Sequence, residues 1–293
     1  MNTLKWIQKN TESLKDKTVA ISGATGGIGC ELCRHLARLG ASLILLDRNS
    51  EKSNNLIISL KREFPTLEAL HIHLDLEDIN SVKTAVQKLS EVWFDVLIFN
   101  AGAYSIPRKI CDTGYNNIFQ INFVSPYYMV KELLPLIKQR HSRVVAVGSI
   151  AHNYSKTDAA DVDFSTRKAA SKIYGNAKRF LMFSLFELFV KEKGLAITHP
   201  GITFTNITAH YPKLIFAVIK HPMKIIFMKP SAAALSILSG VFEDTGYFEW
   251  IGPRLFNVWG KPKKQMLKTC KRCESQQIFK LAEQIYQNVK NKN

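Results

Sequence analysis

Cysteine is scarce in this sequence, and the features of a secreted chain are lacking. Five cysteines occur among 293 residues, an odd number, and the mixed polar N-terminus has no apolar run of the kind found in a signal peptide. These absences argue against a disulfide framework. Cys30 and Cys33 form one CxxC pair, and Cys270 and Cys273 form another. Because the pairs would make a zinc site only if they met in space, we expect no metal.

Acidic residues are also in short supply. The 24 Asp and Glu stand against 40 Lys and Arg, which gives a formal net charge of +16. Such a balance suits an anionic partner, or is simply a basic soluble surface. No motif that reads DNA or RNA accompanies it, so we expect no nucleic-acid partner. Residues 261–293 contain nine basic residues and two acidic ones, which predicts a basic C-terminal extension.

The sequence has no internal repeat and no low-complexity linker, and short apolar runs alternate with amphipathic stretches. This alternation predicts an α/β fold, because nearly continuous apolar strands between helices indicate a parallel sheet covered on both faces. We predict a single Rossmann-type domain over 1–293, with a doubly wound parallel sheet and helices on both faces. The predicted strands are 17–22, 42–47, 67–74, 94–100, 143–148 and 195–199, and the predicted helices are 27–39, 51–63, 79–91, 114–139 and 168–193.

A glycine-rich loop joins the first predicted strand to the helix that follows. Glycines let the backbone turn sharply and approach a pyrophosphate, while the helix N-terminus offers free N–H groups to it. Gly23, Gly27 and Gly29 fit one spacing of such loops, and Gly23, Gly26 and Gly29 fit another. The loop alone does not choose between them, but its position between strand and helix predicts a dinucleotide site.

The end of the second predicted strand bears on which dinucleotide is bound. Asp47 can accept hydrogen bonds from ribose hydroxyls and would repel a 2′-phosphate, which favours NAD. Arg48 comes next, and its guanidinium suits a 2′-phosphate, which favours NADP. No Lys or Arg lies within the glycine loop, residues 22–29. We therefore predict NAD, with NADP as the alternative.

A tyrosine and a lysine, Tyr174 and Lys178, lie four positions apart on the last predicted helix. They share one face of it, since four residues make just over one turn. A nearby ammonium favours the phenolate and lowers the pKa of a tyrosine, which prepares it to act as acid and base. The spacing alone is equally typical of a surface pair. Ser149 makes the site more specific, because it follows the fifth strand at the edge where α/β folds bind ligands.

Together these motifs resemble the short-chain dehydrogenase/reductase superfamily, in its single-domain branch. The matching segments are SGATGGIG at 22–29, DL at 75–76, NAG at 100–102, Asn122, Ser149, YGNAK at 174–178 and HPGITFT at 199–205. The resemblance implies an NAD(P)-dependent alcohol–carbonyl oxidoreductase in which Tyr174 transfers the proton and Ser149 polarises the substrate oxygen. It also implies that Lys178 binds the nicotinamide ribose, and that Asn122 holds a water of the proton relay.

The resemblance further implies which residues hold the cofactor. Asp75 would meet the adenine, and Thr203 and Thr205 would meet the nicotinamide and phosphates. The full implied set, besides Tyr174 and Lys178, is Ser22, Gly23, Thr25, Gly27, Ile28, Gly29, Asp47, Arg48, Asp75, Leu76, Asn100, Ala101, Gly102, Pro200, Gly201, Thr203 and Thr205.

The interval from Ser149 to Tyr174 is 25 positions, and in this and in His199 before Pro-Gly the sequence is similar to retinol dehydrogenases and WW-domain oxidoreductases. That similarity implies a hydrophobic alcohol or ketone, steroid-, retinoid- or lipid-like, although substrate carries over poorly within a fold. A catalytically silent dinucleotide sensor or scaffold is the alternative from another class. The presence of both Tyr174 and Lys178 argues against it.

Residues 203–230 are apolar and basic, and in this family the segment forms a lid over the substrate. Its apolar side chains, such as Leu214 and Phe216, would wall a pocket. The apolar run is too short and too interrupted to span a bilayer, but its lysines suit contact with anionic lipid. We expect a cytoplasmic protein, with peripheral membrane contact as an alternative. The resemblance also implies a homo-oligomer, paired through the helices that carry Asn122 and Tyr174 unless the basic C-terminal tail alters the pairing.

Overall fold

The computed structural model describes residues 2–154, 156–203, 228–267, 269 and 271–292. Within them, eight strands form one sheet. They are β1 (Thr18–Ser22), β2 (Ser42–Asp47), β3 (Ala69–His73), β4 (Val96–Phe99), β5 (Arg143–Val147), β6 (Leu195–Thr198), β7 (Glu249–Leu255) and β8 (Trp259–Met266). Their order across the sheet is β3-β2-β1-β4-β5-β6-β7-β8. All neighbouring strands are parallel except β8, which pairs antiparallel with β7.

Helices cover both faces of this sheet, as predicted. They are α1 (Thr3–Asn10), α2 (Gly27–Arg38), α3 (Ser50–Glu63), α4 (Ile79–Glu91), α5 (Asn117–Phe119), α6 (Ser125–Arg140), α7 (Ala170–Leu188), α8 (Pro230–Phe242) and α9 (Arg272–Lys290), with a π-helical turn at Gln120–Val124 and a 3₁₀ turn at Ile150–Tyr154. One apolar core lies between the sheet and α1, α2, α3 and α8. The other lies between the sheet and α4, α6, α7 and α9. The Rossmann-type α/β fold is thus confirmed.

Two strands at one edge of the sheet were not predicted. β7 contains Gly252 and Pro253, which interrupt the apolar run that marks a buried strand. β8 is the edge strand, and most of its side chains are exposed, lysines among them, so it has no apolar run at all. The predicted parallel sheet therefore ends in one antiparallel edge strand.

The basic segment 261–293 takes part in the fold instead of trailing from it. It contributes most of β8, and its last helix, α9, packs against α7 and α6. The apolar face of α9, including Ile278, Ala282 and Ile285, is buried in the core. The basic side chains lie on the other face, which is the amphipathic pattern of a helix at a protein surface.

Candidate active site

The glycine loop passes directly over the end of β4. Gly23 has a φ of 68°, and a Cβ added there would lie 2.8 Å from the Ala101 Cα, so only glycine allows this approach. The Ser22 hydroxyl accepts a hydrogen bond from the Ala101 N–H at 3.1 Å. The Asn100 amide donates to the carbonyl oxygens of Ser22 and Gly23 at 3.1 and 2.9 Å. The Asn-Ala-Gly segment at 100–102 therefore fixes the position of the glycine loop by hydrogen bonds.

The same loop is packed against the start of α2. A Cβ on Gly29 would lie 2.1 Å from the Gly23 carbonyl oxygen, whereas one on Gly26 would lie 3.3 Å from it. Gly26 also has an ordinary φ of −75°. The glycines that the geometry requires, Gly23 and Gly29, belong to both spacings. A pyrophosphate can approach a glycine backbone closely and accept hydrogen bonds from N–H groups at the helix N-terminus. These residues therefore fit the dinucleotide that the family resemblance implies.

Asp47 and Arg48 leave the carboxyl end of β2 in different surroundings. The Asp47 side chain is buried, and its Oδ1 accepts from the Thr25 N–H at 3.4 Å and the Thr25 hydroxyl at 3.0 Å. Burial raises the pKa of this carboxyl, and the Thr25 and Ser53 hydrogen bonds oppose that rise. Arg48 is exposed. Asp47 thus orders the glycine loop, and it keeps acceptor capacity because a carboxylate can take several hydrogen bonds.

Tyr174 and Lys178 lie side by side on α7, as their spacing predicts. Lys178 is 2% exposed, and its Nζ donates to the Val147 carbonyl oxygen at 2.8 Å. That Nζ lies 5.8 Å from the centroid of the Tyr174 ring. The Tyr174 hydroxyl is hydrogen-bonded to the Ser149 side chain. The structure therefore brings Ser149, Tyr174 and Lys178 together at the carboxyl edge of the sheet.

Burial dominates the pKa values of this pair. It lowers the pKa of Lys178 to about 8, and it raises the pKa of Tyr174 to about 12 against the opposing hydrogen bond from Ser149. The pKa of Tyr174 therefore lies above its ordinary value, whereas the sequence predicted a lowering beside Lys178. The physical reason is that the phenolate would be formed away from water, where desolvation outweighs the favourable contacts.

Asn122 and Lys178 both lie close to Gly102. Asn122 lies in the π-helical turn, where its Nδ2 donates to the carbonyl oxygens of Ala103 and Ile118, both at 2.8 Å. Its Oδ1 is buried without a protein partner. A Cβ on Gly102 would lie 2.8 Å from that Oδ1 and 3.6 Å from the Lys178 Nζ. The bare glycine therefore leaves a polar cleft between the amide and the ammonium.

Hydrogen bonds of His152 and Arg179 stabilise the turn after Ser149. The His152 imidazole lies 2.6 Å from the Ser149 carbonyl oxygen through Nδ1, and burial lowers its pKa to about 4. Arg179 donates to the His152 carbonyl oxygen at 3.0 Å and pairs with Glu274 of α9. The C-terminal helix thus supports the strand end that carries Ser149.

The remaining predicted cofactor residues lie around this edge, with one exception. Leu76 is buried, and the Asp75 carboxylate accepts from the Glu77 N–H at 2.9 Å. Pro200 and Gly201 follow β6, and Thr203 bridges to Met228. Thr205 lies outside the described residues, as do 204–227 of the predicted lid. Within the described part of the chain, no three His, Cys, Asp or Glu side chains gather as a metal site would require.

Sequence reasoning missed two contributors to the site. The Val147 carbonyl, which anchors Lys178, is a backbone group, and no sequence pattern marks it. Tyr104, two positions beyond Asn-Ala-Gly, packs its ring edge-to-face on Tyr174 with centroids 5.4 Å apart. Its proximity to Asn-Ala-Gly in the sequence was the signal that could have found it.

Comparison with known proteins identifies the family of this chain. Residues 17–176 match the short chain dehydrogenase family, which is more than half of the chain. The chain therefore belongs to the short-chain dehydrogenase family of oxidoreductase enzymes.

Relatives with curated descriptions carry dehydrogenase names. The short chain dehydrogenase resG of Aspergillus sclerotiorum is 40% identical over 43% of this chain and 36% of its own length. Retinol dehydrogenase 13 of Homo sapiens is 29% identical over 68% of this chain and 62% of its own length. Polyprenol dehydrogenase of Homo sapiens is 26% identical over 67% and 63%. The chain thus spans only about a third to two thirds of the length of these three relatives.

Solved structures share the fold. An uncharacterised protein from Mycobacterium paratuberculosis superposes with a TM-score of 0.71 at 24% identity, over 94% of this chain and 95% of that one. An alcohol dehydrogenase from Thermococcus sibiricus, complexed with 5-hydroxy-NADP, superposes with a TM-score of 0.56 at 21% identity, over 74% and 87%. At such identities the likeness concerns the fold alone.

Proposed function

We propose that this protein interconverts an alcohol and a carbonyl on a hydrophobic substrate, using NAD or NADP. The observation that carries the proposal is the Tyr174 hydroxyl, hydrogen-bonded to Ser149 and placed beside the buried ammonium of Lys178. The pair lies at the sheet edge where the glycine loop lies, which is the crevice that α/β folds use for ligands.

A nicotinamide cofactor held at the glycine loop would supply or accept the hydride. In the reductive direction Tyr174 gives its proton to the substrate oxygen, and Ser149 donates a hydrogen bond to that oxygen as its negative charge develops. In the oxidative direction Tyr174 removes the alcohol proton. A tyrosine whose pKa is about 12 is a weak acid at neutral pH, so the reaction needs a cation near the phenolate.

Lys178 provides that cation and is fixed by the Val147 carbonyl. With a pKa of about 8, it carries a proton at neutral pH and can also release it. We assign to Asn122 the positioning of a water that connects Lys178 to solvent. Its buried, unpartnered Oδ1 beside Gly102 supports this role, because a buried acceptor without a hydrogen bond is costly.

We propose NAD as the cofactor, with NADP as the alternative. Gly23, Thr25 and Gly29 with the start of α2 would hold the phosphates, and Asp47 would hold the adenosine ribose. A thermal-shift comparison tests the choice, since a ligand that binds the folded state raises the melting temperature. We expect a larger rise with NAD than with NADP. A larger rise with NADP that Arg48→Ala removes would instead assign the site to the 2′-phosphate.

An apolar cluster supports a hydrophobic substrate. Ile118, Phe164 and Ile173 are buried together, and Ile106 and Tyr174 pack against them. These apolar neighbours of Tyr174 suit a hydrophobic substrate, since many ligand pockets are lined by apolar and aromatic side chains. Steroid-, retinoid- and lipid-like alcohols and ketones are the substrate classes that we propose.

The competing function is a catalytically silent dinucleotide sensor or scaffold. The deciding measurement is oxidation or reduction of the cofactor with a panel of hydrophobic alcohols and ketones, on the native chain and on Tyr174→Phe. We expect turnover from the native chain and its loss in the variant. Dinucleotide binding without turnover across the panel would favour the sensor.

We propose a cytoplasmic location, and an oligomer that does not pair through α6 and α7. The C-terminal helix α9 packs across both helices. Lys131 of α6 forms an ion pair with Glu283 at 2.8 Å, and Arg179 of α7 forms one with Glu274. Pairing through α6 and α7 would first require α9 to be displaced. No helix in the described part of the chain combines the length and apolar character needed to cross a bilayer.

A further inference from the structure

The turn between β7 and β8 exposes apolar side chains that the fold leaves uncovered. Phe256 is 86% exposed and Leu255 is 53% exposed. Phe256 and Asn257 have φ values of 52° and 57°, in the left-handed region that favours glycine and asparagine. A phenylalanine does not favour this turn conformation, and exposure of its ring to water is unfavourable. The turn geometry therefore does not explain why Phe256 stands there.

Cations surround this apolar tip. Arg254, Lys261 and Lys263 are exposed on the two strands next to it. Lys264 lies further along and reaches Glu243 at 3.8 Å. Residues 250–267 contain no Asp or Glu. Within the described part of the chain Arg254, Lys261 and Lys263 form no ion pair. An apolar tip flanked by such cations is complementary to a surface that is negative outside and apolar beneath.

The tip lies on the catalytic side of the sheet. β7 runs parallel to β6, so the turn follows the carboxyl end of β7, at the edge where Ser149 and Tyr174 lie. His199 donates through Nε2 to the Asn257 carbonyl oxygen at 3.0 Å. A Cβ on Gly201 would lie 2.7 Å from the Val258 carbonyl oxygen. The turn is thus tied to residues 199–201, next to the proposed cofactor site.

We propose that this hairpin tip docks the protein on an anionic phospholipid bilayer. Leu255 and Phe256 enter the interface, while Arg254, Lys261 and Lys263 contact the negatively charged headgroups. A second copy of the chain fits less well, because a symmetric contact would bring like charges together. Duplex nucleic acid fits less well too, since Leu255 and Phe256 offer no hydrogen-bond donor to phosphates or base edges. Docking in this way would turn the carboxyl edge, and with it the proposed entrance for a hydrophobic substrate, toward the lipid.

The test is co-sedimentation of the full chain with vesicles. One set contains phosphatidylserine and phosphatidylcholine in equal proportion, and the other contains phosphatidylcholine alone. We expect binding to the anionic vesicles that weakens at high salt, because screening shortens the reach of the headgroup charge. We expect Phe256→Asn, a residue that suits the left-handed turn, to weaken that binding about tenfold, and Lys261→Gln with Lys263→Gln to weaken it by a similar factor.

Matched controls come from α3, at the opposite end of the sheet. Ile58 is 51% exposed, so Ile58→Gln removes a comparable apolar side chain. Lys52→Gln with Lys61→Gln removes the same charge from an exposed surface. Both controls should bind as the native chain does. Circular dichroism should show every variant folded, since none of these side chains is buried.

Three results with vesicles alone would overturn the docking surface. They are no binding of the native chain to anionic vesicles, equal losses in the α3 controls, and unchanged binding in the hairpin variants. The last result would place lipid contact elsewhere, for instance in residues 207–230. Release from vesicles by duplex DNA, with direct binding of DNA that Lys261→Gln with Lys263→Gln abolishes, would assign the surface to nucleic acid. Vesicle binding does not depend on turnover, so failure of the proposed enzyme activity would show separately.

Discussion

Lys178 and Tyr174 share one face of α7, with the lysine Nζ 5.8 Å from the centre of the tyrosine ring. Burial opposes charge on both groups, so the pKa of the lysine falls to about 8 and that of the tyrosine rises to about 12. Shifts toward the neutral form in two adjacent groups are typical of functional sites. The pair is therefore the first place to test the proposed chemistry.

Removal of the Tyr174 hydroxyl should abolish turnover and leave the fold intact. Tyr174→Phe keeps the ring that packs on Tyr104 but cannot transfer a proton, so we expect kcat to fall by about 100-fold or more. The melting temperature, and its rise with NAD, should change little. Tyr128→Phe removes a hydroxyl from a ring that packs on Tyr286 of α9 instead and is the control, with turnover near that of the native chain. Comparable turnover in Tyr174→Phe and the native chain would refute the mechanism.

The buried lysine should make stability depend on alkaline pH. The pKa of Lys178 falls from an ordinary 10.5 to about 8 on folding, so between those values the unfolded chain binds more protons than the folded chain. The free energy of unfolding therefore rises with pH through this window and falls as pH drops toward 8. Relative to Lys178→Met, which has no titrating group there, the native chain should gain about 3 kcal/mol.

Urea unfolding of both proteins, at a series of pH values from neutral to about 10, measures this difference. Groups common to the two proteins cancel in the comparison. Parallel stability profiles would mean that Lys178 keeps its ordinary pKa in the folded chain.

Two glycines of the loop should respond differently to the same substitution. Gly29→Ala places a Cβ 2.1 Å from the Gly23 carbonyl oxygen, while Gly26→Ala places one 3.3 Å away. We expect Gly29→Ala to lose the rise in melting temperature with NAD, because the loop must open to admit the methyl group. Gly26→Ala should stay within about 1 kcal/mol of the native stability and keep the response. Equal behaviour of the two variants would contradict the loop geometry.

The ion pair between Arg179 and Glu274 should contribute far more than an exposed pair. The Arg179 side chain is 5% exposed and also donates to the His152 carbonyl oxygen, so Arg179→Met leaves two partners unsatisfied. We expect a loss of about 3 kcal/mol in the free energy of unfolding. The control is Lys17, which pairs with Asp95 and whose side chain is 55% exposed. Lys17→Met should lower the free energy of unfolding by less than about 1 kcal/mol. Similar losses in urea unfolding would show that α9 does not support the turn after Ser149.

Local patterns in the sequence were sufficient for much of the fold. The six predicted strands are all present, because each is an apolar run between turn residues. β7 and β8 were not predicted, because Pro253 interrupts the apolar run of β7 and exposed lysines occupy the edge strand β8. The role of residues 261–293 escaped for a related reason, since the apolar face of α9 is recognisable only against the helices that bury it.

The sequence by itself determined the chemistry that is available: a glycine loop after a strand, Ser149 at a strand end, and Tyr174 and Lys178 on one helical face. These are short-range relationships set by the repeats of helix and strand. Only the tertiary structure decided that Val147 anchors Lys178, that Asn122 Oδ1 faces Gly102 without a partner, and that both pKa values move toward the neutral forms. Those properties depend on which distant segments exclude water from a group, and desolvation is a property of the packed fold rather than of any local pattern.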